Sequence, residues 1–281
     1  MKYKISATSA NLGVGFDAMG IALNLYNEYE VDLSPSWEFF GFEERYSNED
    51  NLFVRSYKKA LKTYNLKDDC LKVSIKTNIP ISRGLGSSSS LIVGGIVACD
   101  LIHNLHLNKD EIFRLARDIE GHPDNVAPCI YGGLCIINKD KVLKVDVDDR
   151  WYFKLFIPED IVSTEKARAI LPSSYSKDVI SNNVSASLMA IDALKNFNQD
   201  NISLIMSDLV HEPYRKTLIS KYESMKEYAL NVGFKAFIIS GSGSSCLGIS
   251  ERYIDTTNLP SKLSSIKVLD ITINKEGIIY E

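Results

Sequence analysis

The chain has 281 residues, of which 45% are hydrophobic and 24% are charged, and its formal net charge is −4. This composition supports a full core, arranged as one large domain or two small ones. The negative charge excludes a general basic surface that would hold nucleic acid or an anionic membrane. No apolar run approaches the roughly 20 residues of a membrane span, and the first residues are typical of a strand, so we expect a cytoplasmic protein.

The chain begins with a strand pattern at Lys2–Ala7, and a polar loop follows at Thr8–Asp17. Small residues and two glycines in this loop allow a ligand to approach the backbone. Asn11 can donate and accept hydrogen bonds, and Asp17 can accept from a hydroxyl or an ammonium group. Turn formation alone also explains both side chains, because Asn and Asp favour Asx turns. Strand alternation resumes over Ile21–Leu33.

Pro80–Ser90 joins a predicted strand to a long apolar helix and is the most informative stretch of the sequence. A helix N-terminus presents unpaired N–H groups and the positive end of the helix dipole. Gly84 and Gly86 let this backbone approach a triphosphate, and Ser87–Ser90 add hydroxyl donors. The stretch is not a Walker loop, because no Gly-Lys-Ser/Thr ends it. It predicts a phosphate-binding loop, with a serine-rich cap on an ordinary buried helix as the alternative.

A second polar stretch, Glu120–Asn125, follows a predicted amphipathic helix that Asn108 caps. Two carboxylates, an imidazole and an amide, interrupted by Gly and Pro, predict a rigid polar turn. Mg²⁺ prefers oxygen ligands and keeps several waters, so one Glu and one Ser with a nucleotide form a typical set. The alternatives are a surface turn for Asp124 and, for Glu120, an exposed carboxylate that the helix dipole disfavours.

A predicted hairpin that turns at Lys139–Asp140 closes a first domain at residues 1–148, and a new strand pattern opens a second domain at residues 149–281. A capped helix start at residue 163 places Thr164 and Arg168 one turn apart on the same face. Arg168 is either a surface residue or a residue that binds a carboxylate bidentately through its guanidinium group. Arg215 is another possible carboxylate ligand. The further predicted elements are helices at 178–197, 202–210 and 214–232, a glycine-serine turn at 240–245, a closing helix and a last strand at 267–274.

The five cysteines are scattered along the chain, and none forms a Cys-x-x-Cys pair. We expect most of them to act as small buried hydrophobic residues in a reducing compartment. A metal site built from soft ligands is therefore disfavoured.

Three glycine-rich turns, with Glu120 between the second and the third, resemble the superfamily of galactokinase, homoserine kinase, mevalonate kinase and phosphomevalonate kinase (GHMP kinases). Ser-Ala-Asn-Leu-Gly-Val-Gly-Phe-Asp at 9–17 and Glu-Gly-His-Pro-Asp-Asn-Val-Ala-Pro at 120–128 resemble its homoserine kinase branch, and the likeness spans nearly the whole chain. The resemblance implies an α+β, two-domain GHMP kinase fold. The N-terminal, ATP-binding domain would be like ribosomal S5 domain 2 and the C-terminal domain ferredoxin-like, with the active site between them.

The resemblance also implies an activity, its cofactors and its partners. The reaction would be ATP-dependent phosphorylation of the L-homoserine side-chain hydroxyl to O-phospho-L-homoserine, in threonine biosynthesis, with Mg²⁺ as the metal. A homodimer is a family expectation, and neither nucleic acid nor a membrane is an expected partner.

By position, Ser88 and Glu120 match the Mg²⁺ ligands of the family, and we expect these two residues and Asp17 to carry catalysis. The residues expected to bind ATP are Asn51, Pro80, Gly84, Leu85, Gly86, Ser87, Ser88, Ser89 and Ser90. The residues expected around homoserine are Asn11, Asp17, His122, Asn125, Thr164, Arg168 and Arg215. Mevalonate-type relatives carry a catalytic Asp where this chain has Asn125, so no general base is assigned. We expect Asp17 to hold the ammonium group or to orient the reacting hydroxyl.

Two other functions remain open at this point. A sister kinase would act on another small alcohol such as mevalonate or shikimate, whereas a non-enzyme would keep the fold for ligand sensing or protein contact. Homoserine is a zwitterion and needs both a cation and an anion partner, which Asp17, Arg168 and Arg215 can supply. A mevalonate site does not need the carboxylate, and intact Ser88 and Glu120 argue against loss of turnover.

Overall fold

Two β-sheets, one of seven strands and one of four, organise the computed structural model, which describes all 281 residues. The strands are β1 (Lys2–Ala10), β2 (Met19–Ser34), β3 (Glu38–Phe40), β4 (Cys70–Lys76), β5 (Leu134–Asn138), β6 (Lys141–Val145), β7 (Tyr152–Ile157), β8 (Ala236–Ile239), β9 (Cys246–Ser250), β10 (Lys267–Ile271) and β11 (Ile279–Tyr280). The α-helices are α1 (Leu52–Thr63), α2 (Ser87–His103), α3 (Lys109–Glu120), α4 (Pro123–Tyr131), α5 (Thr164–Ala169), α6 (Lys177–Asn196), α7 (Glu212–Arg215) and α8 (Tyr222–Val232). Short 3₁₀ segments lie at Glu44–Tyr46, Ile202–Met206, Lys216–Leu218 and Ser261–Leu263.

The first sheet has the strand order β11-β1-β2-β4-β3, and β5 pairs with the start of β2 and carries β6 on its other side. Alternating apolar residues of β1, β2 and β4 face helices α1 to α4 and form one core with them. Tyr29 of β2 stacks on Tyr3 of β1 and on Phe53 of α1, which ties the helices to the sheet. This packing sets α2 and α4 against the strands that carry the first polar loop.

The second sheet is antiparallel, with the strand order β10-β7-β9-β8. On one face its apolar residues pack with α6 and with the ends of β1 and β2, so the two sheets share a core. On the other face α5 and α8 form a separate core with residues such as Phe156 and Phe237. The last strand, β11, returns to the first sheet beside β1.

Three local predictions from the sequence are confirmed, namely the β5–β6 hairpin, the Asn108 cap and the apolar helix. The β5–β6 hairpin pairs Asn138 with Lys141 around the predicted turn. Asn108 caps α3 in a capping box with Glu111, and the apolar helix after the phosphate-binding loop is α2. No helix combines the length and the apolar character that crossing a bilayer requires. All five cysteines are free, and only Cys70 is not fully buried.

Other predictions need correction. The polar turn predicted after Glu120 is the start of a helix, because Pro123 occupies the first position of α4. The helix predicted at 202–210 is only the 3₁₀ segment Ile202–Met206, and the predicted closing helix is the 3₁₀ segment Ser261–Leu263. The helix predicted at 214–232 is interrupted at Ile219, whose backbone is extended. The proposed domain boundary at residue 148 stays a prediction.

Candidate active site

A cavity of about 400 Å³ opens between loops and helices of the N-terminal and C-terminal halves of the chain. From the N-terminal half it is lined by Asn11, Tyr46, Asp50, Asn51, Leu52, Ile81, Ser82, Gly84, Leu85, Gly86, Ser87, Ser88, Leu91, Glu120, His122, Asp124 and Asn125. From the C-terminal half it is lined by Val162, Ser163, Thr164, Arg168, Arg215, Gly241 and Ser242. Most of the predicted site residues therefore meet in one place.

The glycine-serine loop before α2 forms one wall of this cavity. Gly86 adopts the left-handed conformation with φ of 69°, and a Cβ there would lie 2.0 Å from Oγ1 of Thr8 on β1. The Thr8 backbone N–H donates to the carbonyl of Leu85 at 3.1 Å, and Ser240 Oγ donates to the carbonyl of Gly84 at 2.7 Å. The loop is therefore fixed from both halves of the chain, with the unpaired amides of the first α2 turn beside the cavity.

Glu120 faces the first turn of α2 and accepts hydrogen bonds from two of its serines. Ser88 Oγ donates to Glu120 Oε2 at 2.7 Å, and Ser89 Oγ donates to Glu120 Oε1 at 3.0 Å. Burial raises the pKa of Glu120, and the two serine hydrogen bonds oppose this rise. No group of three or more His, Cys, Asp or Glu side chains is arranged to hold a metal ion. Ser88 and Glu120 still offer two oxygen donors of the kind that Mg²⁺ prefers when phosphates and waters complete its shell.

The opposite end of the cavity is cationic. Arg215 is only 2% exposed, and its Nη1 donates to the carbonyl of Gly241 at 2.9 Å. Burial, followed by the nearby Arg168, lowers the pKa of Arg215 to about 10. Both guanidinium groups lie over the ring of Phe16, at 5.7 Å for Arg168 and 5.2 Å for Arg215. This arrangement keeps two cations side by side, which suits an anionic ligand.

Asp17 does not itself line the cavity, and its carboxylate is already paired with Arg168. Its two carboxylate oxygens accept from Nη1 and Nη2 of Arg168 at 3.0 and 2.7 Å, a bidentate ion pair. Asn11 fixes the same loop, because its Oδ1 accepts from the Asp17 backbone N–H at 3.0 Å and its Nδ2 donates to the Gly241 carbonyl at 3.0 Å. Burial is the largest single influence and lowers the pKa of Arg168, but the hydrogen bond and the charge of Asp17, together with the charge of Asp124, outweigh burial and raise this pKa.

A buried histidine, His211, accepts a hydrogen bond from Arg215. His211 Nε2 donates to the carbonyl of Gly13 at 2.8 Å, which leaves Nδ1 to accept from Arg215 Nη1 at 3.5 Å. Burial lowers the pKa of His211 to about 4, so this imidazole is neutral at physiological pH. Both oxygens of Asp208 accept backbone N–H groups at the start of α7, which fixes the segment that carries His211 and Arg215.

Three further predicted residues line the middle of the cavity. Asn125 Oδ1 accepts from Thr8 Oγ1 at 2.7 Å, so its Nδ2 is the group left to donate into the cavity. His122 precedes α4, and burial, followed by Arg168, lowers its pKa. Thr164 begins α5, whose N-cap is Ser163, as the sequence predicted.

Four residues expected to bind ATP either lie outside the cavity lining or use their side chains for other hydrogen bonds. Pro80 does not line the cavity, and neither do Ser89 and Ser90. Ser90 Oγ accepts from Asn27 Nδ2 at 3.2 Å inside the first core, so its hydroxyl points away from the site. Asn51 does line the cavity, but its amide caps α1 and bonds backbone carbonyls before it.

Asp124 also lines the cavity, although the sequence analysis assigned it no site role and gave a surface turn as the alternative. Its side chain is 3% exposed, and its Oδ1 has no hydrogen-bond partner. Burial, together with the negative charge of Asp17, raises the pKa of Asp124 to about 7. Pro123 was the available signal, because proline is enriched at the first position of a helix and so places Asp124 in a first turn. The sequence analysis gave Tyr46 and Phe16 no site role, and it predicted the glycine-serine turn at 240–245 without assigning its residues to the site.

Comparison with known proteins identifies the family. The model of the GHMP kinases N terminal domain matches residues 51–133, and that of the GHMP kinases C terminal domain matches residues 190–263. Homoserine kinase from Clostridium acetobutylicum is 37% identical over 95% of this chain and 94% of that protein. The chain belongs to the GHMP kinase family, in its homoserine kinase branch. A homoserine kinase from Clostridium botulinum strain 657 is 36% identical over 99% of this chain and 98% of that protein.

Solved GHMP kinase structures share this fold. A crystal structure of homoserine kinase from Cytophaga hutchinsonii has a TM-score of 0.86 and 25% identity, over 99% of this chain and 96% of that chain. A crystal structure of L. major mevalonate kinase in complex with R-mevalonate has a TM-score of 0.72 at 15% identity, over 98% of this chain and 96% of that chain. The two-domain GHMP kinase fold predicted from the sequence is therefore confirmed.

Proposed function

We propose that this protein is an ATP:L-homoserine O-phosphotransferase, which transfers the terminal phosphoryl group of ATP to the side-chain hydroxyl of L-homoserine. The observation that carries the proposal is a single cavity with a phosphate-binding loop at one end and two arginines with carboxylates at the other. A zwitterionic alcohol needs charges of both signs, and a nucleotide needs the loop. The family membership and the names of the relatives point to the same reaction.

At the nucleotide end, the backbone from Gly84 to Ser88 would bind the phosphates at the N-terminus of α2. Ser88 and Glu120 would hold Mg²⁺, which neutralises charge on the phosphates when it is bound. Their donor set fits this ion, because a carboxylate and a hydroxyl within hydrogen-bonding distance leave room for phosphate and water ligands. Tyr46 and Leu91 at the rim of the cavity would face the base or ribose.

At the acceptor end, Arg215 and Arg168 would bind the carboxylate of the amino acid. Asn125 Nδ2 donates into the space between the two ends, where it can stabilise negative charge on the transferring group. We assign no general base, because both oxygens of Asp17 accept hydrogen bonds from Arg168. Positioning and charge neutralisation would therefore supply most of the rate, as a loose phosphoryl-transfer transition state permits.

The test is steady-state ADP release with L-homoserine, D-homoserine, L-serine and mevalonate as acceptors. We expect turnover with L-homoserine alone. Arg168→Ala is expected to raise KM for homoserine by about 10- to 100-fold and to change kcat far less, since it removes binding common to ground and transition states. Turnover of mevalonate in preference to homoserine would overturn the proposal. MgATP binding without turnover of any acceptor would instead indicate a binding protein.

A further inference from the structure

Segment 158–163 runs from the end of β7 to the start of α5 and contains neither helix nor strand. Its last residues, Val162 and Ser163, line the cavity. The Ser163 hydroxyl caps α5 by accepting from a backbone N–H of its first turn at 3.2 Å, so the segment sets where α5 presents Arg168. Ile161 in the middle of the segment is 74% exposed. Packing holds the segment only in part, so its position also depends on hydrogen bonds from other loops.

The phosphate-binding loop bonds this segment through the two residues directly before Gly84. Arg83 Nη2 donates to the carbonyl of Glu159 at 2.8 Å, and the Val162 N–H donates to the carbonyl of Ser82 at 3.4 Å. The first bond has a charged donor and is therefore the stronger of the two. A shift of the loop when phosphates bind would thus be passed to the segment that leads to α5.

The glycine-serine turn at 240–245 is bonded to both the loop and the segment. Ser244 Oγ donates to the carbonyl of Asp160 at 2.5 Å, and the backbone N–H that follows Ser244 donates to the carbonyl of Arg83 at 3.1 Å. Ser240 Oγ donates to the carbonyl of Gly84 at 2.7 Å. Loop, segment and turn therefore form one hydrogen-bonded unit that joins the two halves of the chain.

Arg83 belongs to this unit without reaching the cavity. It does not line the cavity, and its Nη1 is buried with no hydrogen-bond partner. The bond of its Nη2 goes to the backbone of Glu159 and not to a carboxylate. A buried donor left unpaired costs stability, so the net contribution of the Arg83 side chain to folding is small. Its bond to the segment is therefore better explained by the position that it fixes than by the stability that it adds.

We propose that Arg83 is a positioning residue that couples the nucleotide end of the cavity to the acceptor end through segment 158–163. The proposal rests on the proposed function and adds that each substrate increases the affinity for the other. Phosphates that hold the loop would also hold the segment and α5, and an acceptor bound at Arg168 would hold the same unit from the other end. Because coupling between two sites is reciprocal, either ligand can be used to measure it.

The test measures the dissociation constant of L-homoserine by calorimetry, with and without a saturating Mg²⁺ complex of adenylyl imidodiphosphate, so that no turnover occurs. We expect the wild type to bind homoserine about 10-fold more tightly when this nucleotide is present. Arg83→Ala should reduce that ratio to less than about twofold, with the affinity for homoserine alone within about twofold of wild type. Arg83→Lys should keep most of the ratio, because an ammonium group can donate to the same carbonyl.

Two further variants complete the design. Ser244→Ala removes the bond from the turn to the carbonyl of Asp160 and should also lower the ratio, which keeps the inference testable if Arg83→Ala does not fold. Arg114→Ala is the matched control, since Arg114 is exposed on α3 and takes part in none of these hydrogen bonds. It should keep the wild-type ratio. Melting curves check that each protein is folded.

The outcomes separate this inference from the proposed function. A wild type that binds homoserine equally with and without the nucleotide would overturn the coupling, and so would an unchanged ratio in Arg83→Ala or Ser244→Ala. A ratio in Arg83→Lys as low as that in Arg83→Ala would overturn the role of the bond to Glu159. Homoserine phosphorylation stands in each of these cases. Failure of the wild type to release ADP with homoserine would instead remove the proposed function itself.

Discussion

Replacing Asp124 with Asn should make the stability of the folded protein less sensitive to a rise in pH from about 4 to about 7. Burial and Asp17 raise the pKa of this carboxyl from 3.8 to about 7, against the partial opposition of Arg168 and Arg215. The folded state therefore keeps a proton that the unfolded chain has already lost. The stability contributed by this proton is complete below about pH 4 and is lost as pH rises through 7. With about 1.4 kcal/mol for each tenfold change in proton affinity, the full loss is about 4 kcal/mol.

The measurement is thermal unfolding of wild type and Asp124→Asn without ligands, followed by circular dichroism. Between about pH 5 and about pH 8.5, linkage predicts that the variant gains about 3 kcal/mol relative to wild type. For a chain of 281 residues this corresponds to a relative shift in Tm of about 5 °C. All other titrating groups are common to both proteins and cancel in the comparison. A difference in Tm that does not change with pH would refute a buried carboxyl with a raised pKa.

Three further substitutions, with a fourth as a control, test the site and its scaffold. Glu120→Gln should lower kcat by about 100-fold or more with an unchanged melting curve, because it removes the carboxylate that would hold Mg²⁺ at the phosphates; activity near wild type would exclude this role. Ser90→Ala should leave KM for ATP within about twofold but lower Tm, because Ser90 forms hydrogen bonds with side chains of the core. A large rise in KM for ATP would instead indicate that the Ser90 hydroxyl binds the nucleotide. Gly86→Ala should cost more than about 2 kcal/mol of stability, since its Cβ meets Thr8. Gly121→Ala has a similar φ of 80° and open space around it, so it should cost only about 1 kcal/mol; equal losses of Tm would contradict the steric argument.

The parts of the site that the sequence predicted are those in which a local pattern determines the geometry. The loop can be predicted from its local sequence alone, because Gly84 and Gly86 precede the serine-rich start of a helix. Ser88 lies on the first turn of that helix, and Glu120 ends α3, so the two meet as soon as the helices pack. The β5–β6 hairpin follows in the same way from alternation around one turn.

The parts that failed depend on contacts distant in sequence. Asp124 lies in a segment with the composition of a turn, and only the close approach of α4 to Gly20 buries its carboxyl. The helix predicted from residue 214 is interrupted at Ile219, whose backbone is extended and whose side chain is buried against Gly243 of the third turn, a contact that the local sequence does not show. Ser90 follows three serines of similar appearance, and only helical periodicity within the packed fold turns it towards β2.

The return of β11 to the first sheet limits how the two halves can move. The backbone N–H of Glu281 donates to the carbonyl of Lys2 at 3.1 Å, and the side chains of Lys4 and Glu281 form an ion pair at 2.6 Å. The chain thus crosses between the sheets twice, once after β6 and once after β10. A rotation that separated the two sheets would have to bend both crossings and break the core that the sheets share. We therefore expect the loops that line the cavity to move more than the sheets do when a ligand enters.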